Sequence, residues 1–196
     1  MASTGPIPGY DYGSQRVGPS PVSLEELRQL ERAADLTQED DRWLRRASGI
    51  LSDQAEAMVN TWRSRIGAQP ELARLFFGSD GKPDEAYKAA VKRRFVKWVQ
   101  DTCDRGRDQA WLDYQEEIGL RHTPAKKNQT DHARSAKLVP LRFLLAFAPV
   151  VLDVRSFLAR GNATEEELRA MERAWTKSVL LQLALWARPY VRDGLW

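Results

Sequence analysis

Beyond residue 22, apolar residues recur at three- and four-residue spacing along most of the chain, the period of helices that bury one face. Ser23 and Glu26 form a capping box that opens an amphipathic helix to about Leu36. Thr37 with Asp40 repeats the signal and opens a second helix, through Trp43, Leu44 and Ile50 to near Leu51. A third runs from about Asp53 to Ile66, carries Ala57, Met58, Trp62 and Ile66, and stops near Gly67 and Pro70. A turn holding Leu75, Phe76 and Phe77 leads into the loop GSDGKPD. From Asp84 a long helix sets Tyr87, Val91, Phe95, Trp98, Val99 and Thr102 on one side, and Lys92, Arg93, Arg94 and Lys97 read as its solvated face.

The segment DQAWLDYQEEIGLR, residues 108–121, is helical by the same pattern. Trp111, Gln115, Ile118, Gly119 and His122 fall on one side of it, and Thr123 and Pro124 stop it. A polar loop of about 15 residues containing PAKKNQTDHARS follows, expected to lead away over the surface with His132 on it. Pro140 stands in a first-turn position of the helix LRFLLAFAPVVLDVRSFLA, residues 141–159, which the interior Pro149 bends and Gly161 and Asn162 end. Thr164 and Glu167 cap a last long helix in which Leu168, Met171, Trp175, Val179, Leu183 and Trp186 share a face. Its stretch VLLQLALW is apolar nearly all round and must be buried in the domain or against a partner chain. Met58 and Met171 read as core fillers. No segment alternates with the period of a strand, so the fold class is all-α with about eight helices. Residues 1–22 form an irregular Gly/Pro/Ser-rich N-terminal extension, whose Tyr10 and Tyr12 point to packing on something, and residues 23–196 form a single domain.

Composition narrows the function classes. The net charge of +3 comes from 30 basic and 27 acidic residues intermixed along the chain, which argues against a nucleic-acid partner. Cys103 is the only cysteine, so no intrachain disulfide and no thiolate cluster can form, and a cytoplasmic location is the expectation. The N-terminal residues lack the layout of a signal peptide, and the longest apolar runs are about half of the ~20 residues a membrane span needs. There is no P-loop, dinucleotide fingerprint, HExxH or nucleophile elbow. The neighbouring pairs Glu116/Glu117 and Asp40/Asp41 point to different sides of their helices, as solvated charges do.

His122 is the residue that raises a chemical question. A lone imidazole ending an apolar stripe is either a hydrogen-bonded core residue or a ligand. One histidine without a second nitrogen, thiolate or carboxylate is wrong for zinc, which takes three or four protein ligands. It suits haem, where the macrocycle supplies four nitrogens and the protein adds one axial imidazole. The bulky set Trp62, Ile66, Phe76, Phe95 and Phe147 could line the cavity such a group needs.

The stretches IPGYDYG (7–13), DQAWLDYQEEIGLRH (108–122), KKNQTD (126–131), FLAR (157–160) and LQLALW (181–186) with PYV just after resemble those of the protoglobins, single-domain relatives of the globin-coupled sensors. The resemblance implies a globin fold enlarged by an N-terminal loop and a pre-helix, which cover a deeply buried haem b (iron protoporphyrin IX). It also implies a homodimer formed through the last two long helices. Matched position by position, His122 is the proximal iron ligand, and Trp62, Ile66, Phe76, Phe95 and Phe147 are distal or haem-facing, with Ile118 beside the ligand on its own helix. Thr123 replaces a second histidine common in the family. Arg63 departs more seriously, because protoglobins typically carry tyrosine after this tryptophan. Its guanidinium either reaches an iron-bound ligand, pairs with a haem propionate, or passes the haem edge to solvent.

The resemblance therefore implies a haem protein that reversibly binds dioxygen, carbon monoxide and nitric oxide, while the intermixed charge and the short apolar runs argue against a nucleic-acid or membrane partner. Since the chain ends just after the last long helix, any signalling is expected to need a separate partner. An enzyme acting on nitric oxide, peroxynitrite or peroxide, or a host for artificial carbene transfer on the same haem, is the alternative. A haem-free globin-like interaction module is the third reading.

Overall fold

The computed structural model describes residues 5–192 and 194–196. Among them the chain forms α1 (Leu24–Ala33), α2 (Gln38–Leu51), α3 (Ala55–Gly67), α4 (Pro70–Ala73), α5 (Glu85–Asp104), α6 (Gln109–Leu120), α7 (Leu141–Leu152), α8 (Arg155–Leu158) and α9 (Glu165–Ala187), with 3-10 turns between several of them. No strand forms among the described residues; a single bridge joins Phe77 and Pro83. The all-α architecture read from the sequence is the one observed. No helix among the described residues is long and apolar enough to cross a membrane.

Local chemistry sets most boundaries. Full capping boxes at Ser23/Glu26, Thr37/Asp40 and Thr164/Glu167 open α1, α2 and α9, and the carboxylates of Asp84 and Asp108 accept from Tyr87 and Trp111 to open α5 and α6. Three helices differ from the sequence reading. The first stops at Ala33 rather than near Leu36, because Asp35 turns left-handed (φ 49°) while Leu36 N–H reaches back to Glu31 O at 2.9 Å, a Schellman closure with aspartate where glycine is usual. The third begins at Ala55, two residues late, since a 3-10 turn over Ser52–Gln54 runs α2 almost directly into it. The helix expected over 141–159 ends at Leu152: Pro149 offers no N–H to the preceding turn, and the chain breaks at Asp153 (ψ 83°) before the short α8. Pro140 is the N-cap of α7 rather than a first-turn residue.

The main core lies where α2, α3, α5, α8 and α9 meet, around the fully buried Leu51, Met58, Val59, Val99, Leu158, Met171 and Trp175. A second cluster of Val22, Leu27, Leu36, Trp111, Leu112, Leu181 and Leu185 fastens α1 to α6 and α9. Full burial of a side chain of this size contributes about 1.5–3 kcal/mol. The apolar half of α9 is not buried on every side: Leu180 on α9 and Leu145 on α7 are 45% and 50% exposed. His132 is exposed as expected. Arg94 is not the solvated charge its position suggested, for its side chain lies between Asp131 and the backbone of the leader.

Candidate functional site

A cavity of about 840 Å³ opens among α3, α5, α6, α7 and α9, within the size range of pockets that hold small molecules and cofactors. Its walls are mostly apolar and aromatic, contributed by Ile66 on α3, Phe76 in the turn after α4, Phe95 and Trp98 on α5, Ile118 on α6, and Phe147 on α7. Arg63, Lys127 and His122 also line it.

His122 is held from every side by its neighbours. It stands just past the end of α6, where its N–H donates to Gly119 O at 3.0 Å. Ring Nδ1 lies 2.8 Å from Ile118 O, an acceptor only, so Nδ1 carries the proton and Nε2 keeps its lone pair. The indole of Trp186 on α9 stacks on the ring at 6.0 Å between centroids and 26° between planes, and Trp186 is fixed in turn by its Nε1–H donating to Gln115 Oε1 at 2.9 Å. Gly119 makes this approach possible: a Cβ there would meet the Trp186 backbone at 3.2 Å. The His122 carbonyl accepts from Val139 N–H at 2.8 Å, and the Tyr190 hydroxyl lies 3.3 Å away. Burial pushes the imidazole pKa down to about 4, assisted by the positive charges of Lys127 and Arg121 and opposed by the bond to Ile118 O, so the ring is neutral at ordinary pH. The result is a neutral imidazole with the lone pair of Nε2 unused in a mostly apolar cavity.

The leader closes over this space. Tyr10 and Tyr12 line the cavity, with Tyr114 edge-on to both at 5.4 Å. Arg94 donates to Pro8 O at 2.9 Å, Arg121 donates to Gly9 O and Asp11, and the Tyr10 hydroxyl donates to Asp101 at 2.5 Å. Burial, with the Asp101 carboxylate next, raises the Tyr10 pKa, which keeps that donor protonated. Gly9 takes φ 72°, and a Cβ there would collide with Thr130 and Arg94, so the strap needs glycine at this point.

Of the residues singled out from sequence, Arg63, Ile66, Phe76, Phe95, Ile118, Phe147 and His122 come together on the cavity wall. Trp62 does not. It is 1% exposed and packs behind the wall, 5.3 Å from Phe95 and 6.2 Å from Trp98 between ring centroids. The reason is the helical wheel: Asn60, Arg63, Ser64 and Gly67 form the cavity-facing side of α3, whereas Trp62 shares the core-facing side with Ala55, Met58 and Val59. Arg63 Nη2 donates to Lys88 O on α5 at 3.3 Å, in a stretch of wall where exposed Asn60, Ser64 and Gly67 carry the cavity to the surface.

Sequence reasoning missed Trp98, Trp186 and Lys127. Both tryptophans sit on recognisable apolar faces, and a pairing of their N–H groups with the buried Gln182 and Gln115 was the available signal. Lys127 is 4% exposed, although its loop reads as surface. Among the described residues no group of three His, Cys, Asp or Glu could hold a bare metal ion, so a metal at His122 needs its remaining ligands from a larger group.

A family model described as Protoglobin matches residues 23–196. No curated protein matches the chain.

Proposed function

Because the chain belongs to the protoglobin family of globin-like, gas-binding haem proteins, we propose that its cavity holds haem b with His122 as the axial ligand, and that it reversibly binds dioxygen, carbon monoxide and nitric oxide. The observation that carries the reading is the imidazole itself: neutral, with Nδ1–H tied to Ile118 O and the lone pair of Nε2 left unused in a mostly apolar cavity. That is the donor a macrocycle with four nitrogens of its own requires. The hydrogen bond at Nδ1 raises the basicity of Nε2 and fixes the plane of the ring. When bound, the haem supplies an iron with one open position to which a neutral diatomic gas can add.

The remaining residues define access and retention. Phe95, Phe76, Ile66 and Phe147 would press on the porphyrin faces and edges, excluding water, which keeps ferrous iron from ready oxidation. Tyr10 and Tyr12 hold the leader over the cavity and slow escape of the cofactor. Against the third reading, a haem-free module, stands the neutral His122 imidazole facing an aromatic lining of Phe76, Phe95 and Phe147. The chain pairs into a homodimer through α7 and α9, where Leu145 and Leu180 stand exposed; sedimentation of the protein as a monomer would overturn that part.

The test is an ultraviolet–visible spectrum of the purified protein, ferric, dithionite-reduced and then exposed to carbon monoxide. A Soret band that moves on reduction and again with carbon monoxide is the expected result. No haem absorbance after adding haemin would sink the proposal.

A further inference from the structure

Six charged residues are buried among those described: Glu31, Asp40, Asp101, Glu116, Glu117 and Lys127. Five have an opposite charge at hand, in Arg107, Lys177, Lys97, Arg188 and Arg121 respectively. Lys127 alone has none. Its Nζ donates to Ser135 Oγ at 2.9 Å and Leu75 O at 3.0 Å, and lies 3.3 Å from the Tyr87 hydroxyl, all neutral acceptors. The nearest candidates for a counter-charge are already taken. Asp131 is clamped by both Nη atoms of Arg94 at 2.9 and 2.5 Å, and Glu117 is shared by Arg121 and Lys126.

This burial is built, not incidental. Asn128 Nδ2 donates to Ser135 O at 2.7 Å and the Ser135 hydroxyl donates to Asn128 Oδ1 at 2.8 Å, folding the loop back so that Lys127 points inward and finds an oriented acceptor. A lone buried cation is costly, and an anion brought within reach offsets that cost. Lys127 lines the cavity, so the cavity is the side from which that anion can come.

We propose that Lys127 is the anchor for a carboxylate carried by the molecule that fills the cavity, and, resting on the haem reading above, that this carboxylate is a haem propionate. The longest of the three contacts, to Tyr87, is the one an arriving carboxylate replaces. The Tyr87 hydroxyl, now an acceptor, keeps its own proton to donate to the same group. Charge pairing at this point fixes which edge of the cofactor faces the loop after His122, and so its rotation about the axis through the imidazole.

The experiment titrates haem-free wild type and Lys127→Met with haemin and with haemin dimethyl ester, which lacks the carboxylates, following Soret absorbance and tryptophan quenching. Expected are a loss of haemin affinity in the variant of about 10- to 100-fold, ester affinity alike in both proteins, and a haem-free melting temperature no lower than that of wild type. An equal loss for both porphyrins, or none for haemin, overturns the inference while leaving the haem reading intact. Failure of wild type to bind either porphyrin overturns the haem reading first, and the propionate with it. Wild type alone supplies a check that needs no folded variant, for equal affinity for acid and ester would also refute the anchor.

Discussion

The two long walls of the cavity are built on different principles. On the α6–α9 side, His122 is tied by its own N–H, its carbonyl, its ring nitrogen and a stacked indole, and the indole is itself tied to Gln115. On the α3–α5 side, Phe95 and Ile66 offer only shape, and Arg63, the charged group of the cavity-facing side of α3, is held by a single 3.3 Å bond. A ligand atom that must meet a metal needs its position set to a fraction of an ångström, and supporting hydrogen bonds do that. A wall that merely receives a small gas can be soft. On the haem reading, the α6–α9 side would carry the fixed chemistry and the α3–α5 side the tunable access, so the two walls can be strained separately.

The largest effect is expected at His122. His122→Ala removes the only basic nitrogen of the well-tied wall, so axial ligation is lost and the ferrous spectrum becomes that of weakly held haem. Added imidazole should restore the band, since the void left is lined by Ile118 and Trp186. Unchanged spectra in the variant would mean that the tied wall serves only the core.

Between the two walls lies Lys127, whose pKa burial lowers from 10.5 to about 8, with Asp131 opposing. The unfolded chain then binds more protons than the folded one between pH 8 and 10.5, so haem-free stability rises with pH across that window. The gain approaches about 3 kcal/mol at most. Chemical denaturation of the haem-free protein at about pH 7.5 and about pH 10 measures it, and a slope that survives in Lys127→Met would assign it to other groups. Somewhat smaller is Gln115→Leu, which leaves the Trp186 N–H buried without an acceptor at about 1–3 kcal/mol. It should also shift the iron–histidine stretching band in resonance Raman spectra of the ferrous form. Loss of stability with an unmoved band would show that the stacked indole packs against the imidazole without orienting it.

How far each wall was legible in the sequence follows the same division. The local half of the tied wall, the contacts of His122 to Ile118 and Gly119 and the capping pairs three residues apart, is what a single sequence displays, whereas its ties to Val139 and Trp186 are not. What escaped depends on distant partners. Lys127 is buried by Leu75, Tyr87 and Ser135, and no local pattern says that a lysine in a polar loop will find them. Trp62 reads as a cavity residue beside Arg63, yet one residue along a helix is a turn of about 100°, enough to carry it into the core. The break of α7 at Leu152 escaped because proline bends some helices and ends others, and the outcome rests on what packs around it.

The smallest predicted effect lies on the soft wall. Arg63 has no carboxylate within ion-pair distance among the described residues, and its one bond, to Lys88 O, draws the guanidinium along the gap between α3 and α5 rather than across the cavity. Exposed Asn60 and Ser64 line the same stretch, so water can solvate the charge there and nothing compels it inward. Arg63→Leu should therefore change the dioxygen off-rate by less than about threefold, on the order of 0.6 kcal/mol. A guanidinium donating to the bound gas would instead make the variant release it about 10- to 100-fold faster. Stopped-flow displacement of dioxygen by carbon monoxide separates these outcomes. Carbon monoxide rebinding after flash photolysis should quicken slightly as the side chain leaves the gap. A tenfold faster off-rate would place a charged donor on bound gas, and the α3–α5 wall would then take as direct a part in the chemistry as the wall that carries His122.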